Sequence, residues 1–183
     1  MGKDKRSKST APPQPAAPAP SATTPSWPPF KPPLPVVDLT FDTLIQDKVV
    51  VLRSFFPRSL CRDYVSFLRQ LPLVTTPGKP KRGDAVRVND RFQIDNPQFA
   101  HRLWSETGLR EAILNGDLTR LWGGQVVGLN PNIRIYRYSP GQFFDAHYDD
   151  YNNVTVTTDI GQQVPARTTW TLLLYLTSSA DGW

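Results

Sequence analysis

The chain changes its hydrophobic rhythm near its middle. In the first half, Val49-Val50-Val51-Leu52 is a short β-branched run that predicts a strand. After Phe55-Phe56-Pro57, Leu60, Tyr64, Leu68 and Leu71 recur at steps of three and four. Arg62, Asp63, Arg69 and Gln70 fall between them, the pattern of an amphipathic helix. Cys61 lies within it and reads as a buried structural thiol. Asn96-Pro97 has the form of a helix cap followed by proline at the first helical position, opening a helix with Phe99, Leu103 and Trp104 on its apolar side. Thr107 is expected to cap a shorter helix through Leu114 that ends at Asn115-Gly116. From Gly123 onward the rhythm is that of strands and turns. Residues 125–127 and 133–138 predict a strand or a bulged pair around the turn signal Asn130-Pro131-Asn132. Ser139-Pro140-Gly141 breaks it, and residues 142–148 resume it. Residues 150–165 are polar, and 168–177 form a continuously apolar run expected to be a strand buried on both faces. The predicted class is α+β, helices first and an antiparallel β unit after them.

The N-terminus follows neither rhythm. Residues 1–35 hold eleven of the nineteen prolines with many alanines and serines, too little apolar surface to offset the entropy of ordering. The expected division is therefore a disordered, Pro/Ala-rich basic tail and linker at 1–36 and one domain at 37–183. Within the tail, residues 26–36 read as a stiff connector of polyproline character, with an SH3-type partner as the weaker reading.

Charge sharpens the same boundary. Of the net +5, the tail supplies +4 through Lys3, Lys5, Arg6, Lys8 and Lys31 against Asp4, which leaves the remainder nearly neutral. No aromatic residues interleave with the basic run, so nucleic-acid binding is not expected. No stretch approaches the roughly 20 apolar residues of a membrane span. Cys61 is the single cysteine, so neither an internal disulfide nor a cysteine-based zinc site can form. A cytoplasmic or nuclear setting is expected. The basic loop at residues 76–84 reads as solvated, with an acidic substrate near a pocket mouth as the sharper alternative.

The candidate chemistry is concentrated at His147-Tyr148-Asp149. On an extended strand the two-residue period points His147 and Asp149 to one face, where an imidazole nitrogen and a carboxylate oxygen can hold one cation. These ligand types suit a non-haem iron(II) centre with open positions for a co-substrate and dioxygen. Alone, His-x-Asp is a weak signal, since a solvated strand end can carry the same residues. The other histidine, His101, lies on a helical pattern, where a hydrogen-bonded or exposed role is the ordinary one.

The surrounding residues make the signal specific. The run Tyr138-Ser-Pro-Gly141-Gln-Phe-Phe144-Asp-Ala-His147-Tyr-Asp149, with Arg167 and the later Leu173-Leu174-Tyr175-Leu176, resembles the prolyl 4-hydroxylase-like 2-oxoglutarate- and iron(II)-dependent dioxygenases. Arg87-Val-Asn89-Asp-Arg91-Phe and Asp95-Asn-Pro-Gln-Phe-Ala100-His-Arg-Leu-Trp104 resemble the helical lead-in of a soluble branch, so the likeness spans roughly residues 45–183. The resemblance implies a helical lead-in and a double-stranded β-helix (jelly-roll) core. It implies iron(II), 2-oxoglutarate as co-substrate, dioxygen, ascorbate as a supporting reductant, and hydroxylation of a peptide or small molecule. By position it implies metal ligation by His147 and Asp149. Tyr175 would contact the far carboxylate of 2-oxoglutarate, and Tyr138 would face the pocket near it. A core-aromatic role for Tyr175 and a packing role for Tyr138 remain the alternatives. The family's distal histidine, the basic residue beyond it and a Gly-Gly-Glu-Thr-like segment have no counterpart before Trp183. The expectation is thus an incomplete jelly roll with exposed strand edges and little or no turnover. A non-catalytic interaction protein, acting through the Pro-rich tail and the helical region, is the competing reading.

Overall fold

A computed structural model describes residues 24–31, 34 and 39–178, apart from 77, 81, 84, 117 and 159. Among them the chain is α+β, with three α-helices and four small antiparallel sheets that do not close into a barrel. No helix among the described residues is long and apolar enough to cross a membrane.

The β-branched run forms β2 (Val49–Leu52), which pairs antiparallel with β1 (Phe41–Ile45). The stripe beginning at Leu60 forms α1 (Arg58–Leu68), which buries Leu60, Tyr64, Val65 and Leu68. Leu71 lies past its end, partly covered. The Asn-Pro signal is realised as expected. Asn96 Oδ1 accepts a hydrogen bond from the Phe99 amide at 2.9 Å, and α2 (Pro97–Ser105) buries Phe99, Ala100, Leu103 and Trp104. That cap is worth about 1 kcal/mol by the usual cost of its removal.

α3 (Leu109–Asn115) starts differently from expectation. Its N-cap is Gly108, at φ 73°, while the Thr107 hydroxyl donates to the Leu103 carbonyl at 2.5 Å. Thr107 is buried and closes the end of α2, so it is not free to cap the helix that follows.

β3 (Val74–Thr75), β5 (Asp90–Asp95) and β6 (Asn132–Arg137) make the largest sheet, with β5 at its centre. Six residue pairs, from Asp90↔Arg137 to Asp95↔Asn132, set its register. β4 (Arg87–Val88) pairs separately with β7 (Phe143–Phe144). Residues 125–127 are not strand. They belong to an extended connection through Gly128, whose φ of 148° disfavours a side chain and where an added Cβ would crowd Val156 Cγ1 at 3.0 Å. The polar stretch hides a hairpin, β8 (Asn153–Thr157) against β9 (Gln163–Arg167). Val154 and Val156 alternate with Asn and Thr there, a half-buried strand pattern too short to stand out.

Two further expectations are corrected. Residues 168–177 do not form a paired strand, and they are covered on one side only. Leu174 and Leu176 pack on the core, whereas Leu172, Leu173 and Tyr175 are 47%, 60% and 78% exposed. The connector reading of residues 26–36 also changes. Phe30 and Leu34 are buried in the main core with Phe56, Leu60, Tyr64, Phe99 and Leu103, and Trp27 packs against them. The Trp27 ring stacks on Phe99 at 4.0 Å, the Tyr64 hydroxyl donates to the Pro28 carbonyl at 3.0 Å, and Arg102 lies over the Phe30 ring. Trp27 and Phe30, three residues apart, fall on one edge of a polyproline turn, so even a proline-rich segment can present an apolar side. The remainder of the 1–36 tail and linker, residues 1–23, 32, 33, 35 and 36, lies outside the described residues.

Candidate metal centre

β7 delivers the site. Phe144 pairs with Arg87, and the Asp145 amide donates to the Val86 carbonyl at 2.9 Å, adding one rung to the ladder. The turn before it is closed by the Gln142 amide donating to the Ser139 carbonyl at 2.9 Å, with Gly141 at φ 83°. A positive φ at this position is what the Ser-Pro-Gly sequence supplies.

Past Asp145 the backbone leaves the strand, so His147 and Asp149 do not converge by strand periodicity as expected. Three contacts bring them together instead. The His147 ring stacks on Phe144 at 3.7 Å between centroids. Its Nδ1 lies 2.8 Å from the Asp145 carbonyl. Asp149 Oδ2 accepts from the Thr171 hydroxyl at 2.9 Å. The result is a separation of 3.5 Å between His147 Nε2 and Asp149 Oδ1.

The hydrogen-bond chemistry fixes what this pair can do. A carbonyl oxygen only accepts, so Nδ1 carries a proton and Nε2 is the nitrogen that faces the carboxylate. Either a proton or a metal ion can sit between Nε2 and Asp149 Oδ1. An imidazole oriented through its other nitrogen is the usual arrangement of a metal-ligating histidine. The pair therefore fits two positions of a metal site. Among the described residues no group of three His, Cys, Asp or Glu side chains is assembled.

Tyr138 follows β6 at the start of the turn and is 39% exposed. Tyr175 stands on the extended segment four residues after Thr171, outward and 78% exposed, so the core-aromatic alternative does not describe it. His101 lies on α2 and is exposed, away from the β7 turn in the fold order. Arg167, at the end of β9, packs its guanidinium over Tyr151.

Thr171 is the residue that sequence reasoning missed. It lies in the apolar run 168–177, where a threonine reads as a β-branched strand former rather than as an anchor for a carboxylate.

Below the site, a polar network holds β5 to its neighbours. Asp90 accepts from Thr75 Oγ1 at 2.6 Å and from Arg137 Nε and Nη2 at 2.9 and 2.7 Å. The Thr75 hydroxyl first, and the Arg137 guanidinium next, hold the Asp90 carboxyl below the ordinary carboxylate range. Beside it, the fully buried Asn89 donates its amide to Thr76 Oγ1 at 3.0 Å. No family model, curated protein or solved structure matches the chain.

Proposed function

We propose that the protein is a 2-oxoglutarate- and iron(II)-dependent dioxygenase of the prolyl 4-hydroxylase-like kind, with β5, β6 and β7 as early strands of a double-stranded β-helix. The observation that carries this reading is the 3.5 Å approach of His147 Nε2 to Asp149 Oδ1, with the remaining polar atom of each side chain tied to a protein group. Held by His147 and Asp149, iron(II) with 2-oxoglutarate as co-substrate would supply the dioxygen activation for hydroxylation, with ascorbate as a supporting reductant.

The chain's own residues orient and hold. The Asp145 carbonyl keeps the His147 proton on Nδ1, and Phe144 fixes the plane of the ring. Thr171 holds one carboxylate oxygen of Asp149, leaving the other to the metal. Tyr138 and the outward Tyr175 are the candidate hydroxyl donors to the carboxylates of 2-oxoglutarate.

Manganese(II), a redox-silent stand-in, tests the reading on the whole chain by electron paramagnetic resonance. One saturable site is expected, weakened at least tenfold by His147→Ala and by Asp149→Ala. Absence of that site, or affinities unchanged in both variants, overturns the metal reading.

A further inference from the structure

The solvent side of the β5–β6 ladder carries an unusual concentration of positive charge. Arg91 pairs with Tyr136 and Gln93 pairs with Arg134, so these four residues share one face of the sheet. The Arg91 guanidinium lies over the Tyr136 ring, which confirms the facing. Arg87, four residues before Arg91, packs its guanidinium 5.0 Å from the centre of the Phe144 ring, the same ring on which His147 stacks. The arginine face thus leads directly to the candidate metal centre.

Among the described residues, no salt bridge reaches Arg87, Arg91 or Arg134. Asp90, the nearest carboxylate in sequence, points to the opposite face and is held by Arg137. Arg91 and Arg134 find only the neutral side-chain oxygens of Gln93 and Asn132. Arg91 Nε is shielded from solvent and has no acceptor among the described residues. Burial is the main influence lowering the proton affinity of Arg91, and repulsion from Arg87 and Arg134 adds to it against the pull of Tyr136. A fold that gathers three like charges, and leaves a shielded donor unmet among them, is poised for an anion from outside. Guanidinium groups match carboxylates and phosphates through paired N–H donors.

We propose that Arg87, Arg91 and Arg134 form a binding site for an anionic group of the substrate, a carboxylate or a phosphate, presented beside His147 and Asp149. As a statement about substrate this rests on the dioxygenase reading, but the anion site itself does not. It is also distinct from the basic loop at 76–84, because its charges lie on strands of fixed register.

The test follows the arginine Nε–Hε signals of the whole chain by nuclear magnetic resonance during titration with inorganic phosphate and, separately, with N-acetylglutamate. The expected result is a saturable shift of the Arg91 signal with at least one probe, the tighter probe identifying the anion class. Arg134→Ala should raise the dissociation constant about tenfold. Arg91→Gln should abolish the site, and since Arg134 is exposed, its variant keeps the test valid even where Arg91→Gln unfolds. Asp149→Ala should leave anion affinity within about twofold while it removes the manganese site, which separates failure of one idea from failure of the other. A non-saturating response to both probes, or equal affinity in Arg134→Ala, overturns the proposal.

Discussion

The segment before the domain and the segment after β9 behave in opposite ways to what their compositions suggest. Residues 26–34 are rich in proline and poor in aliphatic side chains, yet Phe30 and Leu34 are buried and Trp27 stacks on α2. Residues 170–176 hold a tryptophan, four leucines and a tyrosine, yet Leu172, Leu173 and Tyr175 stand in solvent. What decides burial is the presence of a partner surface. The aromatic faces of α1 and α2 offer one to the proline-rich segment, and its prolines have little backbone freedom to lose on docking. An apolar strand needs a neighbouring strand on each edge and cover on both faces. Leu174 and Leu176 find cover on the core, and Trp170 packs edge-on against Trp122 with its indole donating to the Leu121 carbonyl at 2.8 Å.

The comparison is broken most forcefully by truncating side chains in each region. Leu60→Ala, at the fully buried centre of the helical seat, should cost about 2–5 kcal/mol, and Phe30→Ala about 3–5 kcal/mol. Leu173→Ala should stay within about 0.5 kcal/mol. Urea denaturation of the three variants provides the measurement. Equal losses in Phe30→Ala and Leu173→Ala would mean that the N-terminal segment does not dock.

The exposed segment should nevertheless matter at the site. Thr171→Val removes the hydroxyl that steadies Asp149, and supporting partners of metal ligands typically contribute about 10–100-fold in affinity. A manganese titration should therefore show a loss of at least tenfold with stability nearly unchanged. Tyr175→Phe removes only a solvated hydroxyl, so it should leave manganese binding unaltered and weaken only 2-oxoglutarate.

The smallest effect is the most local. Because the folded-state pKa of Asp90 is depressed, its contribution to stability is present above the unfolded carboxylate range and fades as pH falls through the folded value. The acid limb of a stability–pH curve should flatten in Asp90→Asn, with the neutral limb keeping its shape. An acid limb identical in both proteins would show that Thr75 and Arg137 do not perturb the carboxyl in solution.

Much of the first half was legible because its signals are local. The stripe Leu60-Tyr64-Leu68 needs only helical periodicity, and Asn96-Pro97 satisfies its own helix within three residues. Thr107 misled because a hydroxyl can serve the helix behind it as readily as the one ahead, and burial at Leu103 settled the choice. The β8–β9 hairpin was obscured because threonines and asparagines fill the solvent-facing positions of a short strand pair.

At the candidate site the residue types were readable and their arrangement was not. By itself the chain determined the α1 and α2 helices, the β2 strand, the turn at Ser139-Pro140-Gly141, and an imidazole and a carboxylate two residues apart, all consequences of near-neighbour chemistry. Only the tertiary structure decided that Thr171, 22 residues after Asp149, would anchor that carboxylate, and that Arg91 and Arg134 would share one face of the β5–β6 ladder. Such contacts depend on strand register and on chain segments up to dozens of residues apart. No local pattern encodes them.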